Sequence, residues 1–146
     1  MKYAFLLLIG LVTLGGCTTE EDKGLKEVDP SDINTDDPAI LSFEEKEYEF
    51  GKIVAGEKVE YDFKFTNTGG SRLIIVDAKG DCGCTVPEWP KEPIEPGESG
   101  VIHVSFNSAH KPNGPIKREI RVRANTHPET ITKVYMVGEI VGPGNE

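Results

Sequence analysis

The stretch "VEYDFKFTN", residues 59 to 67, alternates apolar and polar side chains with a period of two. Val59, Tyr61, Phe63 and Phe65 fall on one side, and Glu60, Asp62 and Lys64 fall on the other. Successive strand side chains point to opposite faces, so this pattern suits a half-buried β-strand. Its aromatic and branched residues also fit a pleated surface. The reading repeats along the chain. "GVIHVSFN" turns Ile102, Val104 and Phe106 inward, and "IKREIRVRAN" turns Ile120, Val122 and Ala124 inward. "RLIIVDA" is a continuous apolar run suited to a strand covered on both faces. "ILSFEE", "YEFGKIV" and "TITKVYMVGEIV" complete the set, with turn signals such as "NTGG" between strands. No window pairs three-and-four apolar spacing with a helix cap. About seven short strands in about 100 residues is the pattern of an all-β, antiparallel, immunoglobulin-like sandwich. The Cys–Trp–Cys spacing of antibody domains is missing, so only the general architecture is expected.

The amino terminus follows a different logic. Lys2 precedes the apolar run "YAFLLLIGLVTLG", which is shorter than the roughly 20 residues a spanning helix needs. The run ends in the small residues of "LGGC" and reads as a secretory signal over residues 1–16. A cysteine directly after the small pair resembles the lipobox of bacterial lipoproteins. That resemblance implies that Cys17 becomes the first mature residue and carries lipid, which anchors the chain in a membrane. Several acyl chains hold a protein stably where one does not. Residues 18–38 contain no aromatic residue and many acids, so 17–38 is expected to be a lipidated cysteine and disordered acidic tether. The sandwich is expected over 39–142, with a short tail at 143–146. Acidic Glu20, Glu21 and Asp22 resemble surface-export signals, and we prefer a solvated spacer. By the same resemblance, the lack of Asp at position 18 points to the outer membrane of the cell envelope.

Charge and cysteines narrow the function classes. The formal net charge is −9, which argues against nucleic acid, whose binders carry a basic stripe. Of three cysteines, acylation of Cys17 would leave Cys82 and Cys84 as a pair. In a regular strand their Cα atoms would lie roughly 6.6 Å apart at about 3.3 Å per residue. A disulfide prefers a shorter span, so a bond needs a bent backbone, which Gly83 permits. Such a three-residue ring contributes roughly 1.6 kcal/mol by chain entropy, too little for a long-range staple. Three readings stay open. A local bond shaping the loop leads in an oxidising compartment. A thiol-redox couple follows, disfavoured by Asp81 beside Cys82 with no adjacent cation to offset it. Third is a two-thiolate site for a soft copper(I) ion.

No metal site is expected from the histidines: His103 should face outward, and His110 and His127 sit in turn-like stretches. Trp89 lies among Pro87, Pro90 and Pro93, so its segment should run along a sheet edge or sandwich end. We read the indole as a core plug first and as an exposed binding patch second. Lys117, Arg121 and Arg123 form a basic row that reads as a solvated strand face discouraging edge pairing. No phosphate loop, nucleophile elbow or paired-histidine motif is present, so no enzyme activity and no cofactor is expected.

From Tyr48 to Val141 the sequence also resembles a bacterial family called domain of unknown function 1573. The residues that carry the resemblance are the "FG" near the start, "FTNTG", "CGCT", "IEPGE" and the closing "VGEIV". It implies an immunoglobulin-like sandwich of the major-sperm-protein type in an exported protein or lipoprotein. The expected role is a lipid-anchored envelope protein that binds an unknown protein or glycan partner. The alternative is a thiol-redox or copper-binding envelope protein acting through Cys82 and Cys84.

Overall fold

The structure, a computed structural model, describes residues 34–142. The signal segment, Cys17, most of the acidic tether and the tail at 143–146 lie outside the described residues. Eight strands follow in chain order: β1 (Leu41–Phe43), β2 (Glu47–Val54), β3 (Lys58–Asn67), β4 (Ile75–Gly80), β5 (Thr85–Glu88), β6 (Ser99–Asn107), β7 (Gly114–Ala124) and β8 (Ile131–Val141). They form two four-stranded sheets, ordered β1-β3-β6-β5 and β2-β8-β7-β4. The class is the all-β sandwich that the alternation predicts.

Two features depart from the expected set. The extra strand is β5, "TVPE", which has one fully buried residue and a proline, and so shows no clear alternation. It lies at the edge of its sheet beside β6, where a proline's missing N–H need not break a ladder. The sandwich is also not wholly antiparallel, because β2 runs parallel to β8 from Glu47↔Tyr135 to Val54↔Val141. Periodicity tells which side chains face inward but not which strand lies alongside.

The core follows the alternation. Phe63, Phe65, Ile102, Val104 and Phe106 from one sheet meet Ile120, Val122, Val134, Met136 and Ile140 from the other, all of them buried. Each such side chain contributes roughly 1.5–3 kcal/mol on burial. Phe65 lies across Gly100 on the neighbouring strand, where a Cβ would come within 2.5 Å of its ring. The run "RLIIVDA" becomes the edge strand β4 rather than a doubly covered one. A register shift between Ile75 and Asp77 lets Ile75 and Ala78 both point inward.

Buried polar residues tie the loops to this core. Asn67 is fully buried, and its Nδ2 donates to the carbonyls of Ser71 at 2.8 Å and Ile94 at 3.0 Å. Its Oδ1 accepts from the backbone N–H of Gly69 at 3.1 Å and of Ile40 at 3.3 Å. Asn125 does related work in the other sheet, where β7 ends beside the start of β4, accepting from Ile74 N–H at 2.7 Å and donating to the Arg72 carbonyl at 2.9 Å. Such side chains substitute for ladder partners where the chain leaves its strands.

Candidate functional site

Strand β4 belongs to one sheet and β5 to the other, so residues 81–84 cross between sheets at the edge of the sandwich. Gly80 sits against Thr85, with no room for a side chain, and this close approach starts the crossing. Within it, Cys82 and Cys84 lie at disulfide distance with Cα atoms 5.2 Å apart, closer than a regular strand would hold them.

Backbone hydrogen bonds hold the loop on each side of the pair. Asp81 N–H donates to the Glu119 carbonyl at 2.9 Å, and Thr85 N–H donates to the Cys82 carbonyl at 3.1 Å. Asn107 N–H donates to the Cys84 carbonyl at 2.9 Å. The buried Thr85 places its Oγ1 3.7 Å from Cys82 Sγ and 3.9 Å from Cys84 Sγ.

The glycine between the cysteines behaves unlike its counterparts. Gly51, Gly56, Gly97 and Gly114 take positive φ angles, and the other described glycines except Gly83 press against neighbouring atoms. Gly83 does neither: its φ lies outside the left-handed region, and an added Cβ would meet nothing within 4 Å. A Cβ at this position would neither clash nor sit on a left-handed φ.

A groove of about 660 Å³ opens beside this loop on the outer face of β3, β6 and β5. Gly83 and Cys84 line one side, and His103, His110 and Lys58 contribute elsewhere. Lys58 pairs with Glu60 at 2.6 Å, and that hydrogen bond is the main cause of a lowered Glu60 pKa. His103 faces outward as expected, its Nδ1 2.6 Å from Asp62 Oδ1. His110 occupies a turn with φ of 60°. An adjoining groove of about 460 Å³ reaches Tyr61, which stacks on Tyr48 with centroids 3.7 Å apart. Burial, then the hydrogen bond to Glu45, raises the Tyr61 pKa above its ordinary value.

Arg118 is the charged residue the sequence reading missed. It points inward from β7, with its guanidinium carbon 5.6 Å from the Phe106 ring centroid and Nη1 3.4 Å from Asp81 Oδ2. The acid beside Cys82 therefore has its cation after all, supplied from 37 positions away along the chain. Only the pairing of β4 with β7 brings the two together.

Trp89 is half-buried and packs against the core, with Lys91 Nζ 3.1 Å from its ring centroid. It is not among the residues lining the groove beside Cys84. The basic row is matched by acids: Lys117 meets Glu47 at 2.7 Å, Arg121 meets Glu119 at 3.1 Å and Arg123 meets Asp77 at 4.0 Å. Exposed pairs of this kind contribute little to stability. Among the described residues, no group of three or more His, Cys, Asp or Glu side chains is arranged to hold a metal ion.

The family model for proteins of unknown function DUF1573 matches residues 41–140. The chain belongs to that family. Solved structures share the fold of this DUF1573 domain at low identity. A protein of unknown function from Porphyromonas gingivalis W83 superposes with a TM-score of 0.59 and 13% identity, over 69% of this chain and 46% of that one. The chain thus spans less than half the length of that relative. The ASH/PapD-like domain 7 of human CEP192 gives a TM-score of 0.56 at 10% identity, over 97% of this chain and 100% of that one. The periplasmic chaperone SfaE gives 0.51 at 9% identity, over 71% and 58%. No curated protein matches the sequence.

Proposed function

We propose that this DUF1573 domain is a non-enzymatic interaction module, lipid-anchored through Cys17 at the outer membrane of the cell envelope, which presents its outer sheet face to a protein or glycan partner. The supporting observation is where space exists around the fold. Aromatic and aliphatic side chains fill the interior between the sheets, while the groove beside Cys84 opens outward from β3, β6 and β5. A partner would meet that face and its loops. The likeness to a periplasmic chaperone is compatible with a sandwich that works by contact in the envelope.

The anchor rests on the "LGGC" sequence and the apolar run before it. The chain from Cys17 to Pro38 bounds the reach of the domain at ~80 Å from the membrane. Replacing Cys17 with serine removes the acylated sulfur, and no helix among the described residues is long and apolar enough to cross a membrane. Cys17→Ser is expected to move the protein from the membrane fraction to the soluble fraction and to abolish incorporation of labelled palmitate. A variant that stays membrane-bound to the same extent as the parent contradicts the anchor.

A further inference from the structure

We propose that Cys82 and Cys84 form a thiol–disulfide exchange site whose substrate is a polypeptide carrying a cysteine pair, docked in the groove over Gly83. The proposal rests on reading the β3-β6-β5 face as the contact surface, and it departs from a purely non-enzymatic role by adding a substrate class and a reaction. Three independent features carry it.

The first is Gly83. Glycine in an ordered segment is explained by a positive φ, by close packing, or by another chain approaching the backbone closely. Gly83 has neither of the first two among its own surroundings, and it lines the groove. The open space lies where an incoming backbone would bring a sulfur to the pair.

The second is how the loop is held. The hydrogen bonds from Asp81 to Glu119, from Thr85 to Cys82 and from Asn107 to Cys84 involve only backbone atoms. Opening the sulfur–sulfur bond leaves all three in place. The ring spans three residues and so restrains little else. The pair can therefore change oxidation state while the fold persists.

The third is charge. A thiolate beside an unpaired carboxylate is disfavoured. Arg118 offsets Asp81, and the Thr85 hydroxyl lies near both sulfurs. The two cysteines also differ: Cys84 packs against the core and lines the groove, and Cys82 is in neither group.

The chemistry follows from that asymmetry. A thiolate of the partner attacks Cys84 Sγ, the Cys82–Cys84 bond breaks, and Cys82 Sγ leaves with the electron pair and takes a proton from solvent. The partner's second thiol loses its proton to solvent and attacks the partner sulfur of the mixed disulfide, releasing Cys84 as a thiolate that is then protonated. Two electrons pass from the partner, which is oxidised to a disulfide, to the cysteine pair, which is reduced. The steps run in reverse when the partner arrives oxidised.

The test uses the full chain, dithiothreitol, and a reduced synthetic peptide containing two cysteines. Three results are expected. Dithiothreitol reduces the pair without denaturant, with the circular dichroism of the sandwich unchanged. In the reduced protein, iodoacetamide modifies Cys84 about tenfold faster than Cys82. Gly83→Val slows exchange with the peptide about tenfold more than it slows exchange with the smaller dithiothreitol. Reduction that requires unfolding overturns the redox pair, whatever surface the domain uses for contacts. Reduction of the folded protein with equal peptide rates for Gly83→Val and the parent overturns docking over Gly83.

Discussion

Asn67→Ala is expected to destabilise the domain by about 3–4 kcal/mol, because it strips partners from several backbone groups at once. The side chain holds Ile40, Gly69, Ser71 and Ile94, four positions that lie outside the strand ladders. Through them it fixes the start of the domain against the end of β3 and the approach to β6. Water can replace some of these bonds in the variant, and the remaining groups lie too deep. For a domain of this size the loss corresponds to a fall in unfolding temperature of roughly 15–25 °C. Thermal unfolding followed by circular dichroism measures it. A fall of only a degree or two would show that the loops hold without Asn67.

Phe106→Ala has an effect of similar size from a different cause. Phe106 is fully buried on β6 between the sheets, with its ring centroid 6.0 Å from that of Phe50. Removing a buried aromatic ring leaves a cavity and costs about 3–5 kcal/mol. The same ring lies beside the Arg118 guanidinium. The variant is therefore expected both to lower the denaturation midpoint and to loosen the arginine that faces Asp81. Phe106→Leu, which keeps part of the volume, should fall between parent and alanine. If chemical denaturation gives equal stabilities for all three proteins, the packing account of this position is wrong.

The sequence exposed the sandwich because burial on one face imposes an alternation that the residues must obey. Ile102, Val104 and Phe106 turn inward in the structure as their spacing requires, and so do Ile120, Val122 and Ala124. Strand β5 was hidden because four residues with one proline and one exposed valine cannot display a period. The parallel pairing of β2 with β8 was hidden because alternation carries no information about the neighbouring strand.

At the site, the cysteine pair was visible from its spacing, and the local bend agrees with the short Cα separation. Its electrostatic setting was not visible. Arg118 sits in "IKREIRVRAN" on the same parity as Ile120 and Val122, outside the basic row, and only the β4–β7 register carries it to Asp81. Gly83 was read as the residue that permits the bend. The structure keeps that bend and adds open space beside Gly83. On the proposed reading, that space is where the backbone of a partner would approach.

The contact surface itself is open to one direct measurement. A photoreactive residue at Val86, 54% exposed on the groove, is compared with one at Ile131, 46% exposed on the other sheet, in the full chain in its own cells. The account predicts a discrete crosslinked species from Val86 that weakens with Gly83→Val, and none from Ile131. Crosslinks of equal yield from both positions, or from Ile131 alone, would contradict it.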